Sequence, residues 1–133
     1  HHVSGQLKLA PEHVVKRVLD AMGKPGLEPL LRFKERFDAA NARLGLKQFL
    51  TYYFIAAHPE CTEDDMRALK SFASKHLRLA PEQVQIFTPT PSTWSTAMYY
   101  TGINPFTRKP ALVTRGLRAK QEQKNLLTPG PHP

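Results

Sequence analysis

The chain holds a single cysteine, Cys61, so it forms no internal disulfide and cannot alone assemble a cluster or zinc site built on several thiolates. That scarcity points to a reducing compartment, and the expectation is a cytoplasmic protein. No apolar run reaches the roughly 18 residues needed to cross a bilayer, which argues against a membrane-embedded chain. His1 stands where a charged leader would sit, so no secretory signal is expected. Acid is scarce towards the end. Residues 101–133 carry Arg108, Lys109, Arg115, Arg118, Lys120 and Lys124 against Glu122 alone, which is +5 of the total +8. Stacking aromatics are scarce there too, with only Phe106, which counts against single-strand nucleic-acid binding by this segment.

What is present fits one globular domain. With 133 residues and 41% hydrophobic content, the chain is long enough to bury a core. QLKLA, Gln6–Ala10, alternates as a short strand. Pro11 suits a first helical turn, and Val14, Val15, Val18, Leu19 and Met22 make one helical face that Gly23 stops. After the GKPG loop (Gly23–Gly26), a second helix is expected from Glu28 to Leu44. Its inward side is Leu30, Phe33, Phe37, Ala40 and Leu44, with Gly45 as its stop. The apolar run Phe49–Ala57 reads as a buried parallel strand that ends in a His-Pro turn. A helix near Glu63–His76 follows, with Thr62 as cap and Asp65 three residues on. The last strand, Val84–Thr88, ends in Pro89-Thr90-Pro91. The order is β-α-α-β-α-β, which implies parallel strands joined by right-handed crossovers. Residues 101–133 read as an extended basic tail with at most a short helix at Leu117–Leu127. LKLAPEHV (Leu7–Val14) and LRLAPEQV (Leu77–Val84) match closely, but their flanks differ and no duplication is inferred.

HHVSGQLKLAPEH, the GKPG loop, RFKERFD (Arg32–Asp38), the AHPECTEDDM turn (Ala57–Met66) and PTPSTWSTAMYYTGINP (Pro89–Pro105) occur in this order. In combination they resemble the second half of YgiQ-like radical SAM proteins, over nearly residues 1–127. A broader likeness links the same elements to radical SAM methylthiotransferases. The resemblance implies an α/β fold, a partial (half) radical-SAM/TIM-type barrel over residues 1–100, and a Pro-rich, irregular basic tail over 101–133. It also implies strand ends that hold S-adenosylmethionine beside a four-iron four-sulfur (4Fe-4S) cluster, whose reductive chemistry would generate a deoxyadenosyl radical. One departure is decisive: the CxxxCxxC motif that ligates the cluster is absent. The chain therefore reads as a fragment of a larger enzyme of unknown substrate. Its first partner would be the missing N-terminal half of its own barrel. The alternative is a non-catalytic module that uses the basic tail to bind nucleic acid or a partner.

The candidate cofactor-binding residues follow from that resemblance. Glu12, at a strand end, is placed to accept from the ribose or amino group of S-adenosylmethionine; otherwise it is a first-turn acid favoured by the helix dipole. Lys8 points either inward to the ligand carboxylate or outward to solvent, and Lys24 poses the same choice. Ile55 and Ala57 would offer apolar surface to the purine, and His58 would shape the turn beside it. Phe87 lies against the adenine or fills the barrel. His13, His58 and Cys61 form no recognised ligand pattern, and no metal site is assigned to this chain. Trp94, Tyr99 and Tyr100 are expected in a loop over the strand ends, as a lid or as an anchor. His1 and His2 read as a tag remnant or, by the resemblance, as native.

Three strands cut from a barrel leave two raw edges that invite pairing with another copy. This stretch on its own is expected to self-associate, and light scattering at high concentration checks it. A clean monomer would count against the open-edge reading.

Overall fold

The computed structural model describes residues 5–128. His1 and His2, together with Pro129, Pro131 and Pro133 of the expected tail, lie outside the described residues. The elements in chain order are β1 (Gln6–Glu12), α1 (Lys16–Met22), α2 (Glu28–Leu44), β2 (Phe49–Ala56), α3 (Glu63–Phe72), β3 (Gln83–Ile86), α4 (Trp94–Thr101) and α5 (Leu117–Leu127). The three strands are parallel and form one open α/β sheet in the order β1-β2-β3. β1 and β3 are its edges, and no further strand pairs with either among the described residues.

β2 alternates cleanly, and this alternation organises the core. Tyr52, Phe54 and Ala56 are buried, and they cluster with Met66, Leu69 and Ala73 of the α3 region, Val84 of β3 and Leu127 of α5. Tyr53 and Ile55 point to the other face and stay half-exposed. There the Tyr53 hydroxyl meets Gln85 at 2.9 Å, and Lys8 Nζ sits 5.7 Å from the Tyr53 ring centroid. One face of the sheet is thus a hydrophobic floor and the other mixes apolar with polar groups.

Helix limits follow local chemistry. α2 has the expected bounds, and Gly23 and Gly45 end α1 and α2 in the left-handed conformation. Thr62 and Asp65 form a reciprocal capping box: the Thr62 hydroxyl accepts from Asp65 N–H, and the Asp65 carboxylate accepts from Thr62 N–H at 2.8 Å. α3 then runs into a π-helical turn, Ala73–Leu77, before β3.

Four expectations are corrected. Pro11 does not open a helix; it lies in β1 where the register with β2 slips between Leu9 and Glu12, an irregularity that tolerates a residue without an N–H. No residue of α2 is buried: Leu30, Phe37 and Ala40 are half-covered, while Phe33 and Leu44 are exposed, because no other described element packs closely along it. The segment after Pro91 is not a loop. It forms α4, capped by Thr93, whose hydroxyl accepts from Thr96 N–H at 3.1 Å, and ended by Gly102. The basic stretch is not an extended tail: the short helix allowed at Leu117–Leu127 forms as α5, packs on α3, β2 and β3, and buries Lys120, Gln123 and Leu127.

Gln123 shows why α5 belongs to the core. Its Oε1 accepts from Ala57 N–H at 3.1 Å, and its Nε2 donates to Cys61 O at 3.3 Å and to Thr114 Oγ1 at 3.0 Å. Replacing it strands a buried donor and a buried acceptor in the turn after β2. Gln123→Leu should lower the unfolding free energy by about 3 kcal/mol, the sum of two unpaired backbone groups. Urea denaturation measures this, and a loss below about 0.5 kcal/mol, within the range of an ordinary surface change, would show that the turn does not depend on the amide.

Candidate functional site

The C-terminal ends of the three strands meet at one edge, as parallel topology requires. Both β1 and the β2 turn depart from extended backbone there in the same way. Glu12 has φ 67° and Ala57 φ 57°, left-handed values that cost a non-glycine residue about 1–2 kcal/mol. These two residues swing the chain out of the sheet. Beyond them lies a cavity of about 370 Å³, walled by Glu12, Tyr53, Ile55, His58, Gln85 and Phe87, with Thr90, Thr93 and Ser95 closing the side towards α4.

Of the residues expected to bind a ligand, Glu12, Ile55, His58 and Phe87 line this cavity. Lys8 is beside it, over the Tyr53 ring, on the face away from the hydrophobic floor. Ala57 is not in the wall; it is buried, with its N–H committed to Gln123. The Glu12 carboxylate lies 3.3 Å from Lys24 Nζ, and that ammonium also donates to Ala10 O at 2.7 Å. Lys24 therefore ties the GKPG loop to the end of β1 instead of reaching solvent alone. Phe87 is 8% exposed and packs edge-on to His58 at 5.1 Å and against Tyr99 at 5.8 Å, so it mostly fills the rim.

The state of His58 follows from its partners. Its Nδ1 faces Pro59 O at 2.8 Å, and a carbonyl only accepts, so Nδ1 carries the hydrogen. Burial holds the imidazole neutral, with its pKa lowered to about 4 against a small raising effect of that carbonyl. Nε2 is then a bare acceptor and takes the hydroxyl hydrogen of Ser95 at 2.7 Å. This His–Ser bond joins the β2 turn to α4 across the cavity. Sequence pattern gave no sign of Ser95, which lies 37 positions from its partner.

His13 and Cys61 form a separate, buried pair. Val15 N–H donates to His13 Nδ1 at 3.1 Å, which leaves Nε2–H aimed at Cys61 Sγ, 3.5 Å away. Burial lowers the His13 pKa to about 4, and burial first, then Asp65, pushes the Cys61 thiol up to about 12. A protonated thiol facing a ring N–H is a poor cation ligand. Among the described residues no cluster of three or more His, Cys, Asp or Glu could hold a metal ion.

Both histidines carry a stability signature. Their folded pKa values lie below the ordinary value of 6.5, so the unfolded chain binds protons that the folded chain refuses. Stability is full above that ordinary value and falls as pH drops through the window from 6.5 towards 4. Each histidine contributes a slope of up to about 1.4 kcal/mol per pH unit. Urea unfolding between roughly pH 5 and 6.5, above most carboxylate titration, should show stability rising with pH, and His58→Asn should reduce the slope. A flat profile would mean that the rings are not buried neutral.

Comparison with known proteins adds a family context. Residues 82–129 match a family model described as a domain of unknown function, DUF3362. A UPF0313 protein of Fusobacterium nucleatum is 55% identical over 127 residues, 96% of this chain and 22% of that protein. UPF0313 proteins of Geobacter sulfurreducens, 55% identical over 96% of the chain, and of Methanosarcina acetivorans, 47% identical over 96%, are covered over 21% and 17% of their lengths. The chain thus spans about a fifth of the curated relatives it matches. Over nearly its whole length it has homologues among the UPF0313 proteins, the YgiQ-like family, at 45–55% identity.

Proposed function

We propose that this chain is the S-adenosylmethionine-binding part of a radical SAM enzyme, and that its open sheet is one section of a larger barrel. The observation that carries the reading is the cavity at the strand ends, where Glu12, Ile55, His58 and Phe87 come from the ends of the three strands of a parallel sheet and the residues just after them. Ligands of parallel α/β folds bind at that edge. The two unpaired edge strands and the exposed side of α2 are what a section of barrel would present to its remainder.

The two groups of such an enzyme fit these residues unequally. The cavity suits S-adenosylmethionine: the Glu12 carboxylate can accept from hydroxyl or ammonium donors, and Ile55 with Phe87 offers apolar surface to a purine. Lys24 beside Glu12 holds that carboxylate in place, and the neutral His58 ring adds a flat, uncharged wall. When bound, the sulfonium would supply the bond whose reductive cleavage starts radical chemistry. The 4Fe-4S cluster does not fit. Cys61 is the chain's one thiol, and it is buried, protonated and bonded to His13. Three cluster thiolates would have to come from the remaining four-fifths of the relatives' length.

The full-length protein, reconstituted anaerobically with iron and sulfide and then reduced, should release deoxyadenosine from S-adenosylmethionine. Glu12→Ala should weaken S-adenosylmethionine binding roughly tenfold, the worth of one hydrogen bond to a charged group. Failure of the reconstituted protein to release any deoxyadenosine would sink the enzymatic reading. Normal affinity in the Glu12 variant would remove this cavity from it.

A further inference from the structure

The start of α4 and the loop after it form a surface that the strand-end site does not use. Between Glu82 and Glu122 the chain contains no acidic residue, while Arg108, Lys109, Arg115, Arg118 and Lys120 supply five cations. Within that acid-free stretch Trp94 and Phe106 lie side by side, their ring centroids 6.1 Å apart and their planes at 59°. Trp94 is 66% exposed, Phe106 51% and Tyr100, on the same helix, 69%. Large rings held together in water forgo burial worth on the order of 2 kcal/mol each, and such patches mark binding sites.

The loop that carries Phe106 is tightly built. Gly102 ends α4 at φ 67°, and an antiparallel bridge joins Ile103 to Pro110. The buried side chain of Asn104 accepts from Phe106 N–H at 2.9 Å and Thr107 N–H at 3.3 Å. Asn104 N–H donates to Lys109 O at 2.9 Å, Arg108 N–H to Asn104 O at 2.7 Å and Ala111 N–H to Gly102 O at 2.8 Å. Phe106, Arg108 and Lys109 are therefore displayed from a fixed tip, and a ligand meeting them need not order the loop. Among the described residues neither Arg108 nor Lys109 forms an ion pair. The other three cations are already engaged: Arg115 and Lys120 stack on Tyr99 at 5.0 and 4.5 Å, and Arg118 pairs with Glu122 at 3.0 Å.

We propose that this surface binds single-stranded nucleic acid, with bases stacking on Trp94 and Phe106 and phosphates meeting Arg108 and Lys109. The two halves of the chemistry are interleaved as that ligand needs. Every base has a ring face and every linkage a negative charge; this stretch has no carboxylate, and the two that share a cavity with Phe106 and Lys109, Asp20 and Glu60, are paired with Lys16 and Arg17. An acidic protein would use the cations and leave the rings idle. Phe106 alone in the basic stretch was a weak stacking signal; the fold supplies its partner from α4. Thr93 and Ser95, which flank Trp94, also wall the strand-end cavity, so a strand lying on Trp94 passes its mouth. The proposal stands whether or not that cavity holds S-adenosylmethionine.

The test uses the full-length protein and a fluorescently labelled single-stranded RNA of about 12 nucleotides, within the usual site size, titrated at several salt concentrations. Affinity should fall steeply with salt. Trp94→Ala with Phe106→Ala should lower it roughly tenfold or more, as the loss of two stacking faces requires. Trp94→Phe should retain most of the binding. Arg108→Gln with Lys109→Gln should flatten the salt slope by about 0.7 per charge removed. All four side chains are exposed, so unchanged thermal melting shows that the variants are folded. The proposal is overturned if the aromatic double variant binds RNA as the parent does, or if affinity ignores salt. Binding to anionic phosphatidylserine vesicles without binding to RNA would overturn it as well, and would assign the surface to a membrane.

Discussion

Everything that positions the candidate site depends on one buried turn, Ala57 to Thr62, between β2 and α3. Six residues turn the chain inside the protein; apart from Cys61 N–H to His58 O at 2.9 Å and Thr62 O, which accepts from Met66 N–H at 3.2 Å, their backbone groups draw partners from elsewhere. Gln123 takes Ala57 N–H and Cys61 O, while Leu112 exchanges with Glu60, its O accepting from Glu60 N–H at 2.7 Å and its N–H donating to Glu60 Oε1 at 3.0 Å. Arg17 of α1 bonds Glu60 O and the Asp65 carboxylate, and the latter also caps α3. The turn is thus a knot of long-range polar bonds. It draws α1, the 112–114 segment and α5 onto the end of the sheet, and His58 is fixed as a consequence.

This accounts for how much of the molecule could be read in one dimension. Elements set by local rules came through well. Glu28–Leu44 lies where periodicity and glycine put it, the short helix allowed at Leu117–Leu127 has those bounds, and the Thr62–Asp65 box is where the residue types require it. The strand order and parallel pairing also agree with the β-α-α-β-α-β pattern. α4 was legible in principle: Thr93, Thr96 and Gly102 are ordinary cap signals, but the Ser, Thr and Pro around them pointed towards a loop. Gln123 was not legible. An amide in a charged, polar helix becomes a core residue only because the backbone of Ala57, 66 positions away, lacks a partner.

The site shows the same division. Glu12, Ile55, His58 and Phe87 were candidates through the family resemblance, and the cavity they line lies where the strand ends of a parallel sheet gather. Their individual states were out of reach of pattern. That His58 is neutral, with hydrogen on Nδ1 and a lone pair towards Ser95, depends on a carbonyl, a hydroxyl and burial that meet only in three dimensions. The His13–Cys61 pair makes the converse point. Residue types suited to a metal are here spent on packing, with the thiol kept protonated by burial.

The backbone at the strand ends gives a last reason to regard this edge as functional. Glu12 and Ala57 both adopt left-handed conformations that glycine would enter freely, at the ends of adjacent strands, and of the two Glu12 lines the cavity. Such strain persists only where surrounding bonds over-determine it. For Ala57 the cause is visible: its N–H must turn inward to Gln123, and the left-handed geometry allows this while the chain leaves for Pro59. For Glu12 the turn brings a carboxylate to the cavity, with Lys24 paired to it at 3.3 Å. A glycine at that position would ease the backbone and lose the carboxylate. That the chain carries glutamate there, against its conformational preference, is what a residue kept for its side-chain chemistry would look like.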